Sequence, residues 1–189
     1  MKPYIIVFFL FIVVACNPQK EEVFSKMQEI DYPTDAPFSI GDYKSSVYFI
    51  EYNNTYYQGW IHPDSSSFSK LWRFYTEEER DSLGLEEGKD YLVENMSLDN
   101  PLTHELEKLC QVFKSVWRID PKSIYLLNIT VDENHLVWLT IRWKRTGEDF
   151  VVLVSDNYNK AFQHSSLARQ TNNFIKINPN LYYRNLQKE

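Results

Sequence analysis

The sequence predicts an α+β fold: an antiparallel sheet of five to six strands, one long amphipathic helix packed across its apolar face, and one short helix. Three observations lead there. Strand-like runs with a period of two follow one another through short, turn-rich links, which joins them as antiparallel neighbours. One segment carries an unbroken apolar stripe at helical spacing. Strands and helices are segregated along the chain instead of alternating as βαβ units. With 13 Tyr, 12 Phe and 5 Trp but only 5 Gly in 189 residues, the composition is that of an ordered domain.

Taken in order, residues 17–40 lack periodicity and contain Pro18, Pro33 and Pro37, so 16–40 reads as a tether with room for a short amphipathic piece at Val23–Ile30. The folded domain is expected over 41–189. Val47–Tyr52 and Thr55–Ile61 are aromatic and β-branched runs flanking Asn53-Asn54, a pair that tolerates the positive φ of a two-residue hairpin turn. Phe68, Leu71, Trp72 and Tyr75 match helical spacing, while Leu71–Tyr75 also reads as a short strand, and the sequence leaves both open. Thr76 with Glu79 forms a capping-box pattern, and Gly84 suits the left-handed position that ends a short helix.

The long helix is expected at 101–118. Asn100 can cap it, Pro101 fits its first turn, and Leu102, Leu106, Leu109, Phe113 and Val116 form the stripe. Pro121 ends it. Ile124–Val131, Leu136–Lys144 and Phe150–Ser155 then make a meander, with Val137, Leu139, Ile141 and Trp143 on the face turned to the long helix and Trp138, Thr140, Arg142 and Lys144 on the other. The tail around Phe174–Asn185 adds one or two short strands, interrupted by Pro179.

The N-terminus carries an address. Lys2 precedes an uncharged run, Tyr4–Ala15, and a small residue stands before Cys16, the pattern of a signal peptide over residues 1–15. Twelve helical residues rise only about 18 Å against a hydrocarbon core of roughly 30 Å, so the run is too short to anchor by spanning. Val13-Val14-Ala15-Cys16 resembles the lipobox of bacterial lipoproteins. That resemblance implies that Cys16 becomes the mature N-terminus, carries a diacylglycerol and a further palmitate-type chain, and holds the protein on a membrane, since two or more chains anchor stably. Lys20-Glu21-Glu22 is similar to the short export tag that sends lipoproteins to the cell surface in Bacteroidota-type bacteria, and an ordinary solvated linker has the same composition. Asn17 in place of Asp leaves out the commonest inner-membrane retention signal. The implied location is the outer membrane, lipid-anchored, on the cell surface where Lys20-Glu21-Glu22 acts as the export tag and on the periplasmic side where it is a linker.

Charge and cysteine content narrow the partners. The formal charge is −6, becoming −7 once Lys2 leaves with the signal, and the pI is near 5.3. Such a chain lacks the basic face that nucleic acid or anionic headgroups require. After processing, Cys110 is the single remaining thiol, so no intramolecular disulfide forms.

The search for chemistry returns little. His62, His104, His135 and His164 are far apart in sequence, and His104-Glu105 is followed by Lys108 where a zinc helix needs its second His. No metal or cofactor is therefore expected, and no nucleophile or phosphate-loop motif occurs. Cys110 lies on the apolar stripe, where a thiol acts as small filling. Glu77, Glu78 and Glu79 point in different directions from one helical turn, and Asp132-Glu133 and Glu148-Asp149 fall in turns. No catalytic residue is assigned. Tyr52, Tyr56, Tyr57, Trp60 and Trp138 form the one group with functional pull: such rings make a stacking surface for a sugar or peptide, and they equally fill the core and rim of a sheet. The expected role is a non-enzymatic binding or accessory lipoprotein of the cell envelope with a protein or glycan partner. The alternative is an immunity-type lipoprotein that neutralises a basic toxin by charge complementarity. A small envelope hydrolase comes last.

Overall fold

A computed structural model of the chain describes residues 18–43, 46–84, 92–144, 146–154 and 174–186. Residues 1–15, read above as a signal peptide, and Cys16 and Asn17 lie outside the described residues. Among the described residues, three helices, α1 (Pro18–Gln28), α2 (Glu77–Ser82) and α3 (Pro101–Ile119), accompany ten strands: β1 (Phe38–Tyr43), β2 (Val47–Tyr52), β3 (Thr55–Ile61), β4 (Phe68–Phe74), β5 (Leu92–Asn95), β6 (Ile124–Val131), β7 (Val137–Trp143), β8 (Asp149–Val154), β9 (Ile175–Asn178) and β10 (Leu181–Asn185). All ten form one sheet in the order β5-β4-β3-β2-β1-β6-β7-β8-β10-β9, every neighbouring pair antiparallel.

The fold is thus mostly antiparallel sheet with few helices, as expected, but ten strands replace the expected five or six. The surplus has identifiable sources. β1 lies partly within the stretch read as tether, where Gly41 and the flanking Ser39 and Asp42 hide its alternation. β4 settles the ambiguity at 68–75 in favour of a strand, and β5 is a four-residue edge too short to register as a run.

Two helices cover one face of the sheet, here called the inner face. α3 crosses it between the edge strand β5 and the central strand β6, packing over β1, β4 and β6. Its start follows from sequence: the Asn100 side chain accepts from the Leu102 N–H, and Pro101 supplies the first turn. Leu106, Leu109, Cys110, Phe113 and Val116 are buried along the stripe, and Phe113 meets Tyr48 of β2 edge-on at 5.6 Å.

The second helix corrects the tether. Residues 18–28 form α1, and its Val23, Phe24 and Met27 are buried in the same core as α3. Phe24 touches three rings, Trp143, Phe150 and Tyr183, at 5.4–6.2 Å. The Trp143 end of the apolar β7 face, expected under the long helix, is met by α1 instead.

The turns behave as their residues dictate. Asn53 and Asn54 take φ of 50° and 58°, the left-handed pair of a tight hairpin between β2 and β3. Gly84 has φ of 65° just beyond α2, whose N-terminus carries the full Thr76–Glu79 capping box. At Gly59 the inner face is closed by the Phe68 ring, which a Cβ would approach to 2.1 Å.

The outer face is divided. Over β7, β8 and β10 a small second core of Leu136, Trp138, Val151, Leu153 and Tyr182, with Phe174 against it, buries the surface. Over β1, β2, β3 and β6 the face is open, and there the cavity described next is found.

Candidate ligand-binding site

Alternation along the strands places Ser39 and Gly41 of β1, Phe49 and Glu51 of β2, Tyr56 of β3 and Asn128 of β6 on the outer face. The register sets them in two rows. Glu51 lies between Ser39 and Tyr56, while Gly41 lies between Phe49 and Asn128. Because Gly41 has no side chain, the second row has a notch at its centre. A Cβ built there would meet nothing closer than Asn128 Oδ1 at 3.6 Å.

Phe74 and Tyr75 at the end of β4, with Arg80 of α2, complete the wall of a cavity of about 550 Å³ over this notch. α2 is held there by two devices. The capping box fixes its first turn, and the Arg73 guanidinium donates to both Glu79 carboxylate oxygens at 2.8 and 3.1 Å. The Thr76 backbone N–H and then Arg73 hold the Glu79 carboxyl below its ordinary pKa. Glu94 adds a third charge 3.6 Å from Arg73.

The site is apolar on its flanks and polar at defined points. Phe49 and Tyr56 are 47% and 56% exposed. The Tyr56 hydroxyl donates to Glu51, and that bond and charge raise its pKa. Ser39 Oγ donates to Asn128 Oδ1 at 3.3 Å and shares a 3.2 Å bond with Thr130 Oγ1. Arg80 Nε is buried and finds no acceptor among the described residues. A smaller cavity of about 220 Å³ shares Ser39 and Glu51 and continues the trough toward Thr130 and Asp132. Asp132 itself is engaged, accepting from the Leu136 N–H and from Trp138 Nε1.

The five rings named from the sequence do not share one surface. Tyr56 opens into the cavity. Tyr57 borders it but has its side chain in the core. Tyr52 packs against the core, on the inner face. Trp60 lies on the outer face with its ring 4.6 Å from Trp72, outside the cavity lining. Trp138 is 4% exposed and offers no face to a ligand, because Leu136, Val151, Leu153 and Tyr182 cover the side of β7 that alternation alone left open. Phe49, Gly41 and Arg80 were not singled out by the sequence. The available signal was Gly41 inside a run that turned out to be a strand interior, where glycine without a bulge marks a close approach.

Lys20, Glu21 and Glu22 fall in α1. Lys20 pairs with Glu148 and sits 4.6 Å over the Phe150 ring, while exposed Glu22 pairs with Lys26. Cys110 is fully buried, and desolvation pushes its thiol pKa well up, the opposite of a reactive cysteine. Among the described residues no three His, Cys, Asp or Glu side chains gather as a metal site, and no helix is long and apolar enough to cross a membrane. Compared with protein-family models, curated proteins and solved structures, the chain matches none.

Proposed function

We propose that this chain is a lipoprotein of the outer membrane, acylated at Cys16, whose outer sheet face binds a ring-bearing ligand, a glycan or a peptide side chain, without transforming it. The observation that carries the binding half is the notch at Gly41. A glycine in a regular strand interior costs about 0.5–1 kcal/mol relative to alanine, and here it is neither at a bulge nor covered by a neighbouring ring. Gly59 shows the contrast, since Phe68 fills the space above it. The aromatic flanks and few polar groups suit recognition, and about 550 Å³ lies within the roughly 300–1,000 Å³ of small-molecule sites. The anchoring half rests on the lipobox resemblance at Val13–Cys16.

The test is a screen of immobilised glycans and peptides against the full chain purified in detergent, repeated with Gly41→Val. Binding that Gly41→Val abolishes, with an unchanged melting temperature, supports the reading. Binding indifferent to Gly41→Val and to Tyr56→Ala places the interaction elsewhere and removes the cavity from the account.

A further inference from the structure

The chemistry lining the cavity narrows the ligand beyond a ring. Glu51 lines the cavity and accepts the Tyr56 hydroxyl, but a carboxylate has further acceptor sites, which a wholly aliphatic occupant would leave against hydrocarbon. A ligand bearing hydroxyl donors satisfies it. Phe49, two residues along β2 from that carboxylate, and Tyr56, opposite it on β3, are exposed aromatics lining the same cavity, the kind of ring on which the C–H face of a sugar stacks.

Arg80 supplies the remaining constraint. It lines the same cavity, its Nε is buried without an acceptor, and no acidic side chain among the described residues forms an ion pair with it. A partly buried guanidinium without a counter-charge among the described residues lacks there the bidentate partner that its planar fork is shaped to take. Glu51, the other charge in the lining, is engaged by Tyr56.

From these observations we infer that the cavity takes an acidic sugar: a ring whose apolar face lies over Gly41 against Phe49 and Tyr56, whose hydroxyls reach Glu51 and Asn128, and whose carboxylate meets Arg80. The trough that continues past Ser39 and Glu51 toward Thr130 accommodates a neighbouring sugar unit, so the natural ligand is a uronate-containing glycan. The inference rests on the ring-binding reading and adds the charge of the ligand.

Calorimetric titration of the full chain in detergent with glucuronate and with glucose separates the two. Tighter binding of glucuronate by about tenfold or more is expected, the worth of one charge-assisted contact. Arg80→Gln is expected to erase that preference while leaving the weaker glucose binding, Arg80→Lys to retain part of it, and Gly41→Val to abolish both. Equal affinity for the two sugars, or a preference that survives Arg80→Gln, overturns the acidic-sugar assignment and leaves ring binding standing. If neither sugar binds, the sugar assignment falls. If both bind undisturbed by Gly41→Val, the cavity reading falls with it.

Discussion

Single residues separate packing from function most cleanly at the two strand glycines. Gly59 and Gly41 lie on neighbouring parts of one sheet, yet a Cβ at the first would run into the Phe68 ring and at the second would meet only ordinary contacts. Gly59→Ala is therefore expected to lose about 1–3 kcal/mol of stability through overpacking. Gly41→Ala is expected to hold or gain up to about 1 kcal/mol by narrowing the unfolded ensemble. Urea denaturation of the two variants checks the pair, and equal losses would mean that Gly41 is a packing glycine. A second residue-scale expectation concerns acid. Lys20 first and Thr146 second hold the Glu148 carboxyl at about 2, below its ordinary 4.5. A depressed carboxyl contributes stability that is present above its unfolded value and disappears as pH falls through the folded one. Stability should accordingly decline between about pH 4.5 and pH 2, and Glu148→Gln should flatten that part of the profile in thermal melts taken across it.

At the scale of elements, α1 changes how the N-terminal region is understood. A helix with Phe24 and Met27 at no measurable exposure belongs to the core, so only Asn17 stands between Cys16 and the first helical residue. Phe24→Ala should cost about 3–5 kcal/mol in denaturant unfolding, as for any large core ring, whereas Glu22→Gln on the exposed side should stay within about 0.5 kcal/mol. A Phe24→Ala variant as stable as wild type would return α1 to the status of a tether. The sequence made α3 legible because eighteen residues of consistent apolar spacing outweigh local noise, and the β2–β3 hairpin because Asn53-Asn54 has one natural conformation. It concealed α1 because three prolines across 17–40 suggest a linker, although Pro18 stands where a helix begins. It concealed β1 and β5 because short strands with Gly, Ser and Asp carry little β-propensity of their own and are held by their neighbours.

The candidate site was less legible than the fold, for a reason that belongs to the whole molecule. Tyr56 could be picked out as an aromatic, but which rings remain open depends on what covers the outer face, and that is decided by strands far apart in sequence. Trp138 is buried by residues of β8 and β10, while Phe49 stays open beside Gly41, where β1 has no outer side chain between Phe49 and Asn128, and Tyr56 stays open in the next row opposite Glu51. Arg80 joins them only through α2, which the Arg73–Glu79 pair fixes across the end of β4.

The sheet packs one face against two helices and presents the other to solvent at β1, β2, β3 and β6. The proposed membrane location depends on Cys16 carrying lipid. The most direct measurement is mass spectrometry of the N-terminal peptide of the protein expressed in a diderm host and extracted from membranes. The account predicts a peptide that begins at Cys16 and carries a diacylglycerol with a further acyl chain. A peptide that retains residues 1–15, or one that begins elsewhere with an unmodified thiol, would contradict it.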